Sequence, residues 1–100
     1  MNGAVTYAVT PYAYKVQVWR NTPTGAELVE EYTGGNSTLD SQAFVPLTAL
    51  TCETPEAMGR YALSTAQEMA TKHGIDHYDI GRDEDEEAAL LEAYGPKEAA

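Results

Sequence analysis

The chain has 100 residues, and its 16 acidic residues against 6 basic residues give a net charge of −10. A chain of this length forms one domain and buries a core without disulfides. Binding to nucleic acid or to an anionic membrane requires clustered lysine and arginine, so the charge balance argues against both. Three explanations of the acidity are open: it keeps the protein soluble, it is an adaptation to a salt-rich cell, or it recognises a basic surface of another protein.

A single cysteine, Cys52, excludes an intramolecular disulfide and a C-x-x-C zinc pattern. Residues 1–4 lack the basic and apolar regions of a secretory leader. No apolar run approaches the roughly 18 residues that a membrane span needs. These features predict a cytoplasmic protein.

The N-terminal third predicts an antiparallel sheet. The expected segments are strands at residues 4–10, 12–20 and 26–33 and a turn at residues 21–25. Pro11 separates the first two strands because it cannot donate to a ladder. Alternation in the second strand places Val16 and Val18 on one face and Trp19 on the other. Gly25 is free to adopt the positive φ that the turn favours.

Capping signals predict two helices. Thr54 is a natural N-cap, and Gly74 suits the left-handed position after a helix. Between them, apolar or small residues recur at three- and four-residue spacing: Met58, Tyr61, Ala62, Thr65, Ala66 and Met69. Asp83 begins a second, short helix, where Glu86 completes a capping box. Residues 95–96 (Gly-Pro) end it.

Three further segments complete the prediction. Residues 41–50 favour an edge strand or an extended loop because they contain Pro46, residues 77–80 favour a short strand, and residues 97–100 a frayed tail. Residues 1–100 are thus expected to form a single α+β domain. Its antiparallel sheet, a hairpin plus one or two further strands, carries the long helix on one face, followed by the short C-terminal helix.

Two imidazoles and two carboxylates fall within seven residues: His73, Asp76, His77 and Asp79. These groups suit zinc, but Gly74 breaks the helix that would align the two rings. The favoured interpretation is a capping His73 and an exposed His77, with a metal protein or enzyme centred on these two residues as a weaker alternative. The chain has no nucleophile motif and no phosphate loop. We therefore expect no enzymatic activity, no metal and no cofactor.

Five consecutive acids occupy residues 83–87, and residues 51–100 carry −8 of the total charge. On a helix, their axial spacing of about 1.5 Å resembles the roughly 1.7 Å per charge of duplex DNA. Acids also stabilise the start of a helix, which requires no partner. The polarised charge nevertheless favours electrostatic steering towards a lysine- and arginine-rich surface.

In size, charge and expected architecture the chain resembles small phage-encoded inhibitors, including anti-CRISPR and anti-restriction proteins. The resemblance implies that the basic partner is a nucleic-acid-binding protein or complex. The expected partner-binding residues are Trp19, Asp76, Asp79, Asp83, Glu84, Asp85, Glu86 and Glu87. The alternative is an acidic accessory or structural domain without an inhibitory role.

Overall fold

The computed structural model describes residues 3–35, 47–48 and 53–95. In chain order the elements are β1 (Gly3–Val9), β2 (Ala13–Thr22), β3 (Gly25–Gly35), α1 (Pro55–His73), a 3-10 turn (His77–Asp79), β4 (Ile80–Arg82) and α2 (Glu84–Tyr94). The predicted α+β class, with a hairpin, a long helix and a short C-terminal helix, is confirmed.

The four strands form one sheet in the order β3-β2-β1-β4. The β1–β2 and β2–β3 pairs are antiparallel, whereas β4 lies parallel to β1. The chain passes through α1 before it returns to the sheet, and such a crossover permits parallel pairing. The sheet is therefore mostly antiparallel, with one parallel pair that the sequence pattern did not predict.

The turn of the β2–β3 hairpin is shorter than predicted. Only residues 23–24 lie between the strands, because Thr22 pairs directly with Gly25. Gly25 has a φ of 130°, as its position in the turn led us to expect. The Thr22 hydroxyl donates to the Gly25 carbonyl over 2.6 Å and closes the turn.

An irregularity in β3 changes which side chains share a face. Val18 pairs with Glu30, but its neighbour Trp19 pairs with Leu28, so Val29 is an extra residue on β3. In a regular strand, residues i and i+2, such as Leu28 and Glu30, point to the same face. The bulge instead places Glu30 on the face of Val18 and Leu28 on the face of Trp19.

The main core lies between one sheet face and α1. It contains Val5, Val16, Val18, Ala66, Met69, Ala70 and Ile75. Ala66 and Ala70 are fully buried, so α1 approaches the sheet through small side chains. Tyr61, which belongs to the predicted apolar stripe, is instead 48% exposed, and its hydroxyl donates to Glu53.

Both ends of α1 follow the capping prediction. The Thr54 hydroxyl accepts from the amide of Ala57 over 3.2 Å. Gly74 has a φ of 70°, and the amide of Ile75 donates to the carbonyl of Ala70 over 2.8 Å. This pair of features satisfies the last carbonyls of the helix and turns the chain back towards the sheet, where Ile75 is buried.

A second, smaller core lies on the opposite sheet face, beneath α2. It contains Ala8, Ala13 and Leu90, with Tyr94 packed against it. Ala8 is three residues from Val5, so the two side chains lie on opposite faces of β1. The two helices therefore cover the sheet from both sides.

The predicted strand at residues 77–80 is wrong in position. His77–Asp79 is a 3-10 turn, and the strand begins at Ile80. The Asp76 carboxylate accepts from the amide of Tyr78 over 3.0 Å, which favours the turn over an extended chain. The Tyr78 side chain is 96% exposed and has no contact with the core.

Other predictions lie largely outside the described residues: the tail at 97–100, the stop at Pro96 and most of the segment 41–50. Within that segment, residues 47–48 are described and are helical, so the extended structure predicted for them is wrong. The Leu47 amide donates to the carbonyl of Pro11, which lies between β1 and β2. Among the helices that the structure describes, none combines the length and the apolar character needed to cross a membrane.

The close approach of α1 to the sheet predicts that Ala66→Leu destabilises the fold. No space exists for three more carbons at this fully buried position, so we expect the free energy of unfolding to fall by about 1–3 kcal/mol in urea titrations. Gln67→Leu, one position along on the exposed side of α1, is the control and should change it by less than about 0.5 kcal/mol. Equal effects would contradict the packing described.

Candidate acidic binding surface

Ion pairs neutralise a minority of the acids in the described chain. Four are bonded to a lysine or arginine: Glu86 to Lys15, Glu27 to Arg20, Glu30 to Lys72 and Glu87 to Arg82. Of the 14 acidic residues within 3–35, 47–48 and 53–95, ten have no such ion pair. These ten acids are available to attract a basic partner.

Half of them lie within ten residues of one another in the chain. We define the acidic surface as Asp76, Asp79, Asp83, Glu84 and Asp85. Asp76 and Asp79 are the N-cap and the last residue of the 3-10 turn. Asp83 follows β4, and Glu84 and Asp85 begin α2; all five except the half-buried Asp83 are exposed. The only lysine or arginine in this segment is Arg82, whose guanidinium is bonded to Glu87.

Two members of the acidic surface also support the local structure. Asp76 caps the 3-10 turn, and Asp83 is the N-cap of α2, accepting from the amide of Glu86 over 3.1 Å. The predicted capping box is only half present. The Glu86 side chain turns to Lys15, and the amide of Asp83 donates to the carbonyl of Tyr7 on β1.

Glu86 and Glu87, although predicted to contact a partner, are bonded within the fold. Glu86 lies 2.6 Å from the Lys15 ammonium and raises the pKa of that lysine. Glu87 accepts two bonds from Arg82, at 2.6 and 2.9 Å, and one from the amide of Val9 at 3.1 Å. Arg82 is the main reason that the pKa of Glu87 lies below its usual value.

The DNA-like spacing expected of residues 83–87 is therefore not displayed as a continuous row. Asp83 caps α2 and the last two acids are ion-paired, which leaves Glu84 and Asp85 as exposed acids without an ion pair in the described chain. The available negative charge forms a patch that also includes Asp76 and Asp79.

Trp19 lies on the sheet face opposite α1. Its indole Nε1 donates to the hydroxyl of Thr6 over 3.0 Å, and its side chain is half-buried. Leu28, paired with it across the hairpin, is 42% exposed. Thr6 is in turn paired with Gly81 of β4, so Trp19 lies two strands from β4, a distance of about 10 Å.

The two histidines do not converge. His73 Nε2 lies 2.8 Å from a carboxylate oxygen of Glu30, whereas His77 Nε2 lies 2.9 Å from the Thr71 hydroxyl. Within the described ranges, no three histidine, cysteine or acidic side chains are grouped as metal ligands.

The sequence pattern missed a groove between β3 and α1. It has a volume of about 450 Å³ and is lined by Glu30, Glu31, Tyr32, Thr65, Glu68, Met69 and Lys72. Hydrogen bonds from His73 and Lys72 bridge α1 to Glu30 and lower the pKa of this carboxyl. The sequence shows that Thr65 and Met69, and likewise Glu68 and Lys72, lie four residues apart on one face of α1. It does not show that this face lies beside β3.

Comparison of the chain with protein-family models, curated proteins and solved structures finds no match. A functional argument therefore rests on the surface itself.

The bonding of Glu87 predicts that Glu87→Gln lowers stability at neutral pH by about 1–2 kcal/mol, because a charged acceptor shared by Arg82 and the Val9 amide is weakened. The carboxyl has a folded pKa below its usual 4.5, so its contribution is fully present above pH 4.5 and is lost as the pH falls through the folded value.

Urea titrations of both proteins between neutral and acidic pH test this prediction. The difference between the native protein and Glu87→Gln should shrink on acidification, while Glu92→Gln, at an exposed position of α2, should differ little from the native protein at any pH. A difference that grows on acidification would show that the carboxylate is not stabilising the fold.

Proposed function

We propose that this chain is a non-enzymatic domain that binds a basic surface of another protein through the acidic surface. The observation that supports the proposal is the local excess of charge. Five acids lie within residues 76–85, and Arg82, the one lysine or arginine among them, is already bonded to Glu87. Such a patch attracts a lysine- and arginine-rich surface and raises the rate of association.

More specifically, we propose that the chain inhibits its partner in the cytoplasm, as do the small phage-encoded inhibitors that it resembles. Proteins that bind nucleic acid carry the basic surfaces that such a patch would occupy. Trp19 and the exposed Leu28 supply an aromatic and an aliphatic side chain on the sheet face opposite α1, and these side chains suit the apolar centre of an interface.

Reversing three charges tests the acidic surface. Asp79, Glu84 and Asp85 are exposed and cap no element, so we expect their joint substitution by lysine to preserve the fold and abolish partner binding. A tagged native chain would first retain the partner from cells that naturally contain it, with release in a salt gradient. The measurement is the affinity of each variant for that purified partner.

The matched control is the joint substitution of Glu53, Glu56 and Glu92 by lysine, three acids that lie outside both the acidic surface and the groove. It changes the net charge by the same amount, and Glu56, like Glu84, lies in the first turn of a helix. We expect this variant to bind the partner at least ten times more tightly than the first variant does. Equal affinities of the two variants would refute a localised acidic site. If DNA does not compete with the chain for the partner, the proposal of an inhibitor is wrong, but that of an acidic binding surface is not.

The accessory-domain alternative draws support from the acids that serve the fold. Asp76 and Asp83 cap elements, and Glu86 and Glu87 join α2 to the sheet. If the acidity is an adaptation to a salt-rich cell, screening should relieve self-repulsion, and the melting temperature should rise markedly from low to molar KCl. A melting temperature that is insensitive to salt would contradict this alternative.

A further inference from the structure

The groove between β3 and α1 combines an apolar floor with polar walls. Met69, only 9% exposed, forms part of its floor and belongs to the main core. Tyr32 on β3 forms one wall, and Glu68 and Lys72 lie four residues apart on α1 along the other. A volume of about 450 Å³ is ample for one long side chain.

One carboxylate in this groove has no bonding partner within the described chain. Glu30 is bonded to both Lys72 and His73. Glu31 lines the groove, but its carboxylate accepts from the Gln17 amide and so belongs to the opposite sheet face. The Glu68 side chain is exposed, and its carboxylate has no hydrogen bond or ion pair among the described residues.

The Tyr32 ring faces the groove from a defined position. Its centroid lies 5.8 Å from that of Tyr14, with the rings inclined at 39°. Burial and the bond with Tyr32 raise the pKa of Tyr14 to about 12. Tyr32 remains 47% exposed, so part of its ring is open to a ligand although Tyr14 supports it.

We propose that this groove binds the guanidinium of an arginine side chain presented by a basic partner protein. The aliphatic stem packs on Met69, and the planar head lies between the Tyr32 ring and the Glu68 carboxylate. Arginine fits better than lysine because its head stacks on aromatic rings and bonds a carboxylate through two N–H groups. The inference rests on the proposed function, since it names a contact that the basic partner would make.

A blocked tripeptide, acetyl-Gly-Arg-Gly-amide, tests the groove directly. Titrated into the full chain, it should shift backbone NMR signals of Tyr32, Thr65 and Glu68. The lysine tripeptide, which has the same charge, should bind several times more weakly. Glu68→Gln and Tyr32→Leu should each weaken arginine binding about threefold.

Glu92→Gln, which removes an exposed carboxylate on α2, is the charge-matched control for Glu68→Gln and should leave arginine binding unchanged. Circular dichroism of each variant verifies that the fold is retained. Equal binding of the two tripeptides, equal effects of Glu68→Gln and Glu92→Gln, or shifts confined to residues 76–85 would each overturn the inference.

The outcome is separable from that of the proposed function. Suppose that reversal of Asp79, Glu84 and Asp85 abolishes partner binding while Glu68→Gln leaves tripeptide binding unchanged. The proposed function is then supported, and the inference that the groove binds arginine is wrong. If that reversal leaves partner binding intact but the groove selects arginine in the tripeptide assay, the acidic surface is wrong and the groove is retained as an arginine site.

Discussion

The packing of small side chains against both faces of β1 is the constraint on which the rest of the fold depends. Val5 is buried against α1, and Ala8 is buried against α2 on the other face. The two edges of β1 are occupied as well, by β2 on one side and β4 on the other. Ala66 and Ala70 allow α1 to lie close to the sheet. The chain that follows α1 can therefore place β4 beside the edge of β1 that β2 does not occupy.

The acidic residues divide into those that build this arrangement and those that remain available. Glu87 joins α2 to Arg82 and to the amide of Val9, and Glu86 joins α2 to Lys15 on β2. Negative charge at the start of α2 is favourable in any case, because the helix dipole is positive there. Glu84 and Asp85 share this local benefit without an ion pair, which leaves their carboxylates open to solvent and to a basic partner.

The acidic surface and the groove lie at opposite edges of the sheet. The first follows β4, the second borders β3, and three strand spacings, about 14 Å, separate those two strands. The groove shares a face with α1, whereas Trp19 lies on the face opposite.

Local chemistry in the sequence was sufficient for the caps at Thr54 and Gly74, the hairpin with Gly25 and the start of α2 at Asp83, because each depends on a few neighbouring residues. The parallel pairing of β4, the bulge at Val29 and the 3-10 turn in place of a strand depended on contacts between distant segments or on competing local bonds. The same holds for the site: composition indicated an acidic surface, but ion pairs formed in the folded chain decided that Glu86 and Glu87 are occupied while Glu84 and Asp85 are available. A side chain's charge is a property of the sequence, whereas its neutralisation depends on which distant base the fold brings within reach.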